Sequence, residues 1–401
     1  MDPKFLKRLI IPAQTKIVMI IMDGLGGLPR QAGGKTELET AEKPNLNSLA
    51  SQSALGLTIP IGPGITTGSG PGHLSIFGYN PFDYEIGRGV LEVLGVDFEL
   101  GPDDLAARGN FCTVDDEGIL LDRRAGRLPT ESSIKLVEML RTIKVDGVEF
   151  FIEPVKEHRF AFVMRASGLG EDLSETDPLK TGVPPLPVVA QNSNSELAAK
   201  KVNLFITEAR KILKDRHPAN MIMLRGFAKF PQVPSYAEMF GLHAAAIAVN
   251  GMYRGVARLA GMDVLHVDGQ TLADEFDTLE KNWMDYDFFY LHFKKTDTCG
   301  EKGDFEGKVK AIEEMDACIP RLMALNPDVV IIGGDHSSPA VMKSHSWHPV
   351  PVLLYSKYVR SDDIPEFGEH ACSRGSLGLI PARHVMPIAL ANAGRIAKYG
   401  A

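Results

Sequence analysis

Short, unbroken apolar runs separated by amphipathic stretches set the strongest limit on how this chain can fold. The runs at 17–22, 221–224, 264–266, 288–293, 329–332 and 350–354 read as buried strands. Most are continuous rather than alternating, the pattern of parallel strands covered on both faces. Amphipathic helices are expected at 44–51, 132–142, 196–214, 242–260 and about 305–325. In the last, Phe305, Val309, Ile312, Met315, Ile319, Leu322 and Met323 recur at spacings of three and four. Strand alternating with helix predicts an α/β fold with a mostly parallel sheet between helices. Residues 105–235 read differently. The runs 150–154 and 159–164 lie close enough to pair antiparallel, two helices accompany them, and a Pro- and Gly-rich loop spans 177–187. This predicts an inserted α+β unit, with boundaries at 1–100, 101–235 and 236–401.

A length of 401 residues suits two or three domains, and 44% hydrophobic with 23% charged residues is ordinary globular composition. The net charge of −8 argues against a general nucleic-acid binder, which needs a basic face. Four cysteines without CxxC spacing argue against a disulfide scaffold or zinc ribbon and fit a reducing compartment. No run reaches the ~18 apolar residues of a membrane helix, and the apolar stretch before Pro12 is too short for a signal sequence. A cytoplasmic protein with no membrane or nucleic-acid partner is the expectation; oligomeric state is not readable.

Chemistry-bearing residues collect where strands end. The first strand runs into Met22-Asp23-Gly24-Leu25-Gly26-Gly27, which places a carboxylate at the usual ligand position of an open α/β sheet; a turn aspartate is the plain alternative. The segment Thr66-Thr67-Gly68-Ser69-Gly70-Pro71-Gly72-His73 carries a hydroxyl at the start of an expected helix. It can hold a nucleophile, or be a flexible loop. It lacks GK[ST] and is no Walker loop. Asp297 and Glu301 stand four apart after the run 288–293, as cation ligands or as part of a solvated charged loop. Asp335 and His336 follow the run 329–332, with His345 nine residues later. Together Asp23, Asp297, Glu301, Asp335, His336 and His345 suffice for two divalent cations beside Ser69, the usual arrangement for in-line phosphoryl displacement.

These residues resemble the alkaline phosphatase superfamily and, more closely, the cofactor-independent phosphoglycerate mutases of the archaeal-type branch. The segments IMDGLGG, TTGSGPGHLSIFGYNP, DRRAGR, EHRFAFVMRASGL, TDTCGEKGDFEGKVKAIEEMD and GGDHSSPAVMKSHSWHPVPVLL carry the likeness, which runs almost end to end. The resemblance implies an alkaline-phosphatase-like core, a substrate-binding cap and a phosphoserine at Ser69 in the interconversion of 3-phosphoglycerate and 2-phosphoglycerate. It implies Asp23, Ser69, Asp335 and His336 as ligands of one metal and Asp297, the residue at 301 and His345 as ligands of the other. The family usually has histidine at the position of Glu301. Carboxylate there makes the site harder and favours Mn²⁺ or Mg²⁺ over Zn²⁺ or Co²⁺. Arg254 stands where a family lysine is expected, on a looser alignment. His73 follows the nucleophile by four residues, as in the family.

Mutase chemistry must keep water from the phosphoserine and hold glycerate while it reorients. A closing cap with cations for carboxylate and phosphate answers both needs. Arg123, Arg124 and Arg127 are the first candidates, with His158, Arg159 and Arg225; Asp177 is read as orienting a substrate hydroxyl or a catalytic histidine. A phosphatase or phosphonate hydrolase with the same site is the alternative, motivated by Glu301. A catalytically silent relative is a third reading, weakened by the presence of Ser69, Asp23, Asp335 and His336.

Overall fold

The computed structural model describes residues 3–84, 86–96, 98–231 and 233–400. The chain divides into two compact units, Met1–Glu85 with Val233–Ala401, and Ile86–Gln232 inserted between them. Among the described residues the strands of the first unit begin with β1 (Ile17–Met22) and β2 (Ser53–Ile59). The inserted unit holds β3 (Asp104–Val114), β4 (Leu120–Asp122), β5 (Glu149–Pro154), β6 (Arg159–Arg165) and β7 (Met221–Lys229). The first unit resumes with β8 (Ala244–Ile247), β9 (Asp263–Val264), β10 (Phe288–Phe293), β11 (Val329–Gly333), β12 (Val350–Ser356) and β13 (Gly378–Pro381).

The first unit is an eight-stranded sheet of order β13-β2-β12-β11-β1-β10-β8-β9. β1 pairs parallel with both β10 and β11, β10 with β8, and β8 with β9. β12 runs antiparallel to both of its neighbours, β11 and β2. Every residue of β1 and of β10 is buried, so both faces are covered. On one face Val18, Ile20, Phe289 and Leu291 share a core with Ile312, Met315 and Ile319 of the helix Phe305–Ala324. On the other, Tyr290 of β10 meets the rings of His73 and Phe77, from the helix Ser69–Ile76 and its end. This is the α/β architecture with a mostly parallel sheet between helices.

Several local expectations change. The stretch 242–260 is not one helix: β8 occupies Ala244–Ile247, and a helix spans Gly251–Leu259 under the Asn250 cap. Its alanines favour helix locally, but parallel pairing with β10 prevails, as tertiary context overrides propensity. The run 264–266 shrinks to the two-residue edge strand β9. β7 belongs to the antiparallel sheet, and β12 is antiparallel within the main sheet. β2, β3, β4 and β13 were not among the expected strands. The charged segment after β10 is a helix, Lys295–Lys302, rather than a loop.

In the inserted unit β3 pairs antiparallel with β4, β6 and β7, and β5 pairs with β6. Helices Thr130–Leu140 and Glu196–Leu213 cover the sheet. The second places Ala198, Val202, Phe205, Ala209 and Leu213 in one core with Phe111, Phe160 and Phe162. The unit starts at Ile86, ahead of residue 101, because the helix Arg88–Leu94 packs on β3: a Cβ at Gly89 would lie 2.5 Å from Ala107 Cα.

Candidate active site

Three adjacent strands deliver the site of the first unit. β1 leads directly into Asp23, β11 runs on to Asp335 and His336, and β10 leads into the helix that carries Asp297. Glycine is needed where these segments crowd. A Cβ at Gly72 would lie 2.5 Å from Asp335 O, so only glycine lets the helix that begins at Ser69 approach that turn. Gly24, at φ +61°, sits against Ser338.

Ser69 Oγ and His336 Nε2 are 3.1 Å apart. The same nitrogen lies 3.2 Å from Asp23 Oδ1 and 3.3 Å from Asp335 Oδ2. Both of those oxygens are buried and receive no well-aligned hydrogen bond. Two anionic oxygens and an imidazole nitrogen so placed, with a hydroxyl beside them, fit a divalent cation. A second donor group joins Asp297, His336 and His345. His345 Nδ1 is 2.9 Å from Thr67 O and His336 Nδ1 is 3.2 Å from Ser338 Oγ, which leaves both Nε2 atoms as the ligating positions. The two imidazoles stack with centroids 3.7 Å apart. Glu301 stands at the rim, one helical turn from Asp297, with Oε1 3.6 Å from His345 Nε2 and a side chain 56% exposed. It is not part of either donor group.

The electrostatics follow from burial and charge. Burial alone raises the Asp23 carboxyl, but the hydrogen bond from His292, the close His336 imidazole and the charge of Lys294 hold it well below the usual carboxylate range. Burial lowers His336, yet the carboxylates of Asp335, Asp23 and Asp297 outweigh it and lift the imidazole to about 9. Lys294, read at first as part of a solvated charged stretch, donates to Asp23 Oδ2 at 2.9 Å, Asp297 Oδ2 at 2.6 Å and Tyr253 Oη at 2.7 Å. Lys294, Tyr253, His292 and Ser338 were missed as site residues. The only signal was the polar His292 inside an apolar run. His73 is no open substrate contact: it is fully buried, with Nδ1 2.8 Å from Ser69 O and 3.1 Å from Asp335 Oδ2.

The other expected residues meet in the inserted unit. Arg123, Arg124, Arg127, His158, Arg159, Asp177 and Arg225 line one cavity of about 300 Å³, together with Arg108, which was not expected. Asp177 takes a bidentate bond from Arg123 at 2.9 and 2.7 Å and one from Arg225 at 3.3 Å. In this structure it orients guanidinium groups. Burial, aided by Arg159 and Arg108, pushes His158 down to about 4, so the cavity's positive charge comes from arginine alone.

Comparison with known proteins gives a consistent result. Residues 15–392 match the family model described as Metalloenzyme superfamily. A probable 2,3-bisphosphoglycerate-independent phosphoglycerate mutase of Thermotoga maritima is 49% identical over 400 residues, 99% of each chain. One of Thermus thermophilus is 48% identical over 99% of this chain and 98% of that protein. The cofactor-independent phosphoglycerate mutase structure from Thermoplasma acidophilum superposes with TM-score 0.76 at 29% identity, over 95% of this chain and 100% of that one. A Pyrococcus horikoshii protein gives 0.82 at 29% identity, over 96% and 99%. This chain belongs to the metalloenzyme superfamily and, within it, to the 2,3-bisphosphoglycerate-independent phosphoglycerate mutase family.

Proposed function

We propose that the protein interconverts 3-phosphoglycerate and 2-phosphoglycerate through a phosphoserine at Ser69. The observation that carries this is the Ser69 hydroxyl, at a helix start and 3.1 Å from His336 Nε2, beside two groups of metal donors. Asp23, Asp335, His336 and Ser69 are assigned to one divalent cation and Asp297 with His345 to the other, Mn²⁺ or Mg²⁺ being the ions that suit such oxygen-rich sets. When bound, they supply positive charge that offsets the negative charge developing on the transferring phosphoryl group. Ser69 Oγ attacks phosphorus and the substrate's own hydroxyl oxygen leaves; the glycerate's other hydroxyl then attacks, and Ser69 Oγ leaves. Ser69 stands at the start of its helix, where unpaired backbone N–H groups favour an anion. The arginine cavity takes carboxylate and phosphate, with Arg123 fixed by Asp177. As a step of glycolysis and gluconeogenesis the reaction belongs in the cytoplasm.

The test is a coupled assay on 3-phosphoglycerate with Mn²⁺ or Mg²⁺ and no bisphosphoglycerate, with free phosphate recorded in parallel. Isomer without phosphate release is expected, and Ser69→Ala lowers kcat by about 10³-fold or more. Phosphate without isomer makes the protein a hydrolase instead.

A further inference from the structure

Beneath the donor groups lie two fully buried charges that the mechanism does not use. Lys308, on the helix Phe305–Ala324, is 0% exposed. Its ammonium touches no carboxylate. It donates to three backbone carbonyls: Gly24 O at 2.8 Å, Gly26 O at 3.0 Å and Ser338 O at 2.9 Å. All three of its protons are used. Glu37, also 0% exposed, does the converse with backbone N–H groups. Its Oε2 accepts from Leu28 N at 3.1 Å and its Oε1 from Ala340 N at 2.7 Å.

The partners come from two turns only. Gly24, Gly26 and Leu28 follow Asp23 at the end of β1, and Ser338 and Ala340 follow Asp335 and His336 after β11. Ser338 also reaches the second donor group, since its Oγ donates to Asp297 Oδ1 and lies 3.2 Å from His336 Nδ1. The turns bond each other as well, through Ser338 N to Gly24 O and Gly26 O. A buried charge is costly unless fully hydrogen-bonded. Here each is satisfied only when both turns stand at one separation.

We propose that Lys308 and Glu37 form a clamp that sets the distance between the two turns, and so positions Asp23, Asp335 and His336 for a divalent cation. Both are positioning residues acting through the backbone. The inference rests on the metal reading of that group. Outer partners of ligands typically contribute 10–100-fold to metal affinity.

The experiment titrates chelator-treated full-length protein with Mn²⁺ alone, for wild type, Lys308→Met and the milder Glu37→Gln, and records the melting temperature and the KM for 3-phosphoglycerate of each. Folded variants are expected to bind Mn²⁺ at least tenfold more weakly, with kcat reduced and KM within about twofold of wild type, because the arginines are untouched. A purely structural role would lower the melting temperature and leave Mn²⁺ affinity alone. If Lys308→Met does not fold, Glu37→Gln decides. Wild-type Mn²⁺ affinity in a folded variant overturns the clamp. A wild-type protein that binds no Mn²⁺ overturns the metal reading and the clamp with it.

Discussion

At the scale of single residues, the first unit buries charged groups at its strand ends. Lys294 bonds Asp23 and Asp297, which belong to different donor groups, so one ammonium balances part of the charge of each. Glu275, outside this network, is 2% exposed, and its Oε1 has no partner. Burial pushes its carboxyl up to about 8. A carboxyl whose pKa is raised in the folded state binds its proton more tightly there than in the unfolded chain. Its contribution is therefore complete below the unfolded pKa and is lost as pH rises toward about 8. Wild type should lose about 3 kcal/mol from this group between pH 5.5 and pH 8. Glu275→Gln should flatten that loss. Urea unfolding at the two pH values checks it, and equal slopes for both proteins would sink the argument.

At the scale of elements, the helix Phe305–Ala324 shows how one segment serves both stability and site. Asp304 caps it through Gly307 N, its apolar stripe enters the sheet core, and Lys308 on its first turns reaches the site's turns. Ile312 is fully buried in that stripe. Ile312→Ala should cost about 2–5 kcal/mol, read from the urea midpoint at unchanged m-value. A loss under 1 kcal/mol would mean that the helix is not anchored by this face. The short helix Lys295–Lys302 contrasts with it. Its apolar content is low, and it is held by its place between β10 and Asp304, whose N–H bonds Cys299 O.

At the scale of the molecule, the insertion has a core of its own, built from Phe111, Phe160, Phe162 and Phe205 with their neighbours. Its two ends meet, since a Cβ at Gly87 would touch Ala228 Cβ. Close ends and a private core are what an independently folding unit needs. Residues 86–231 produced alone should unfold in one cooperative thermal transition, followed by circular dichroism. A gradual loss of signal would show that the core is incomplete without the rest of the chain. No helix among the described residues is long and apolar enough to cross a membrane.

Buried parallel strands and long amphipathic helices were legible in the chain itself, because periodicity and apolar runs are local signals. So β1, β10, β11 and the helix Phe305–Ala324 lie close to their expected positions. The donors Asp23, Asp335 and His336 could be named because each follows a recognisable run, His345 because a second histidine stands nine residues past His336, and Ser69 because a hydroxyl stands among glycines. What local signals do not contain is the partner. β8 is a strand only because β10 lies beside it, and the antiparallel course of β12 is set by β11 and β2. Lys294 turned from surface charge into site residue because folding brought Asp23 within 2.9 Å of it. Glu301 kept its spacing from Asp297 but stays at the rim, since spacing along a helix fixes neither where its side chain points nor what lies opposite. Lys308 and Glu37 bond main-chain atoms alone, and no pattern of side chains announces the Gly24 carbonyl or the Ala340 N–H, each brought close from hundreds of residues away.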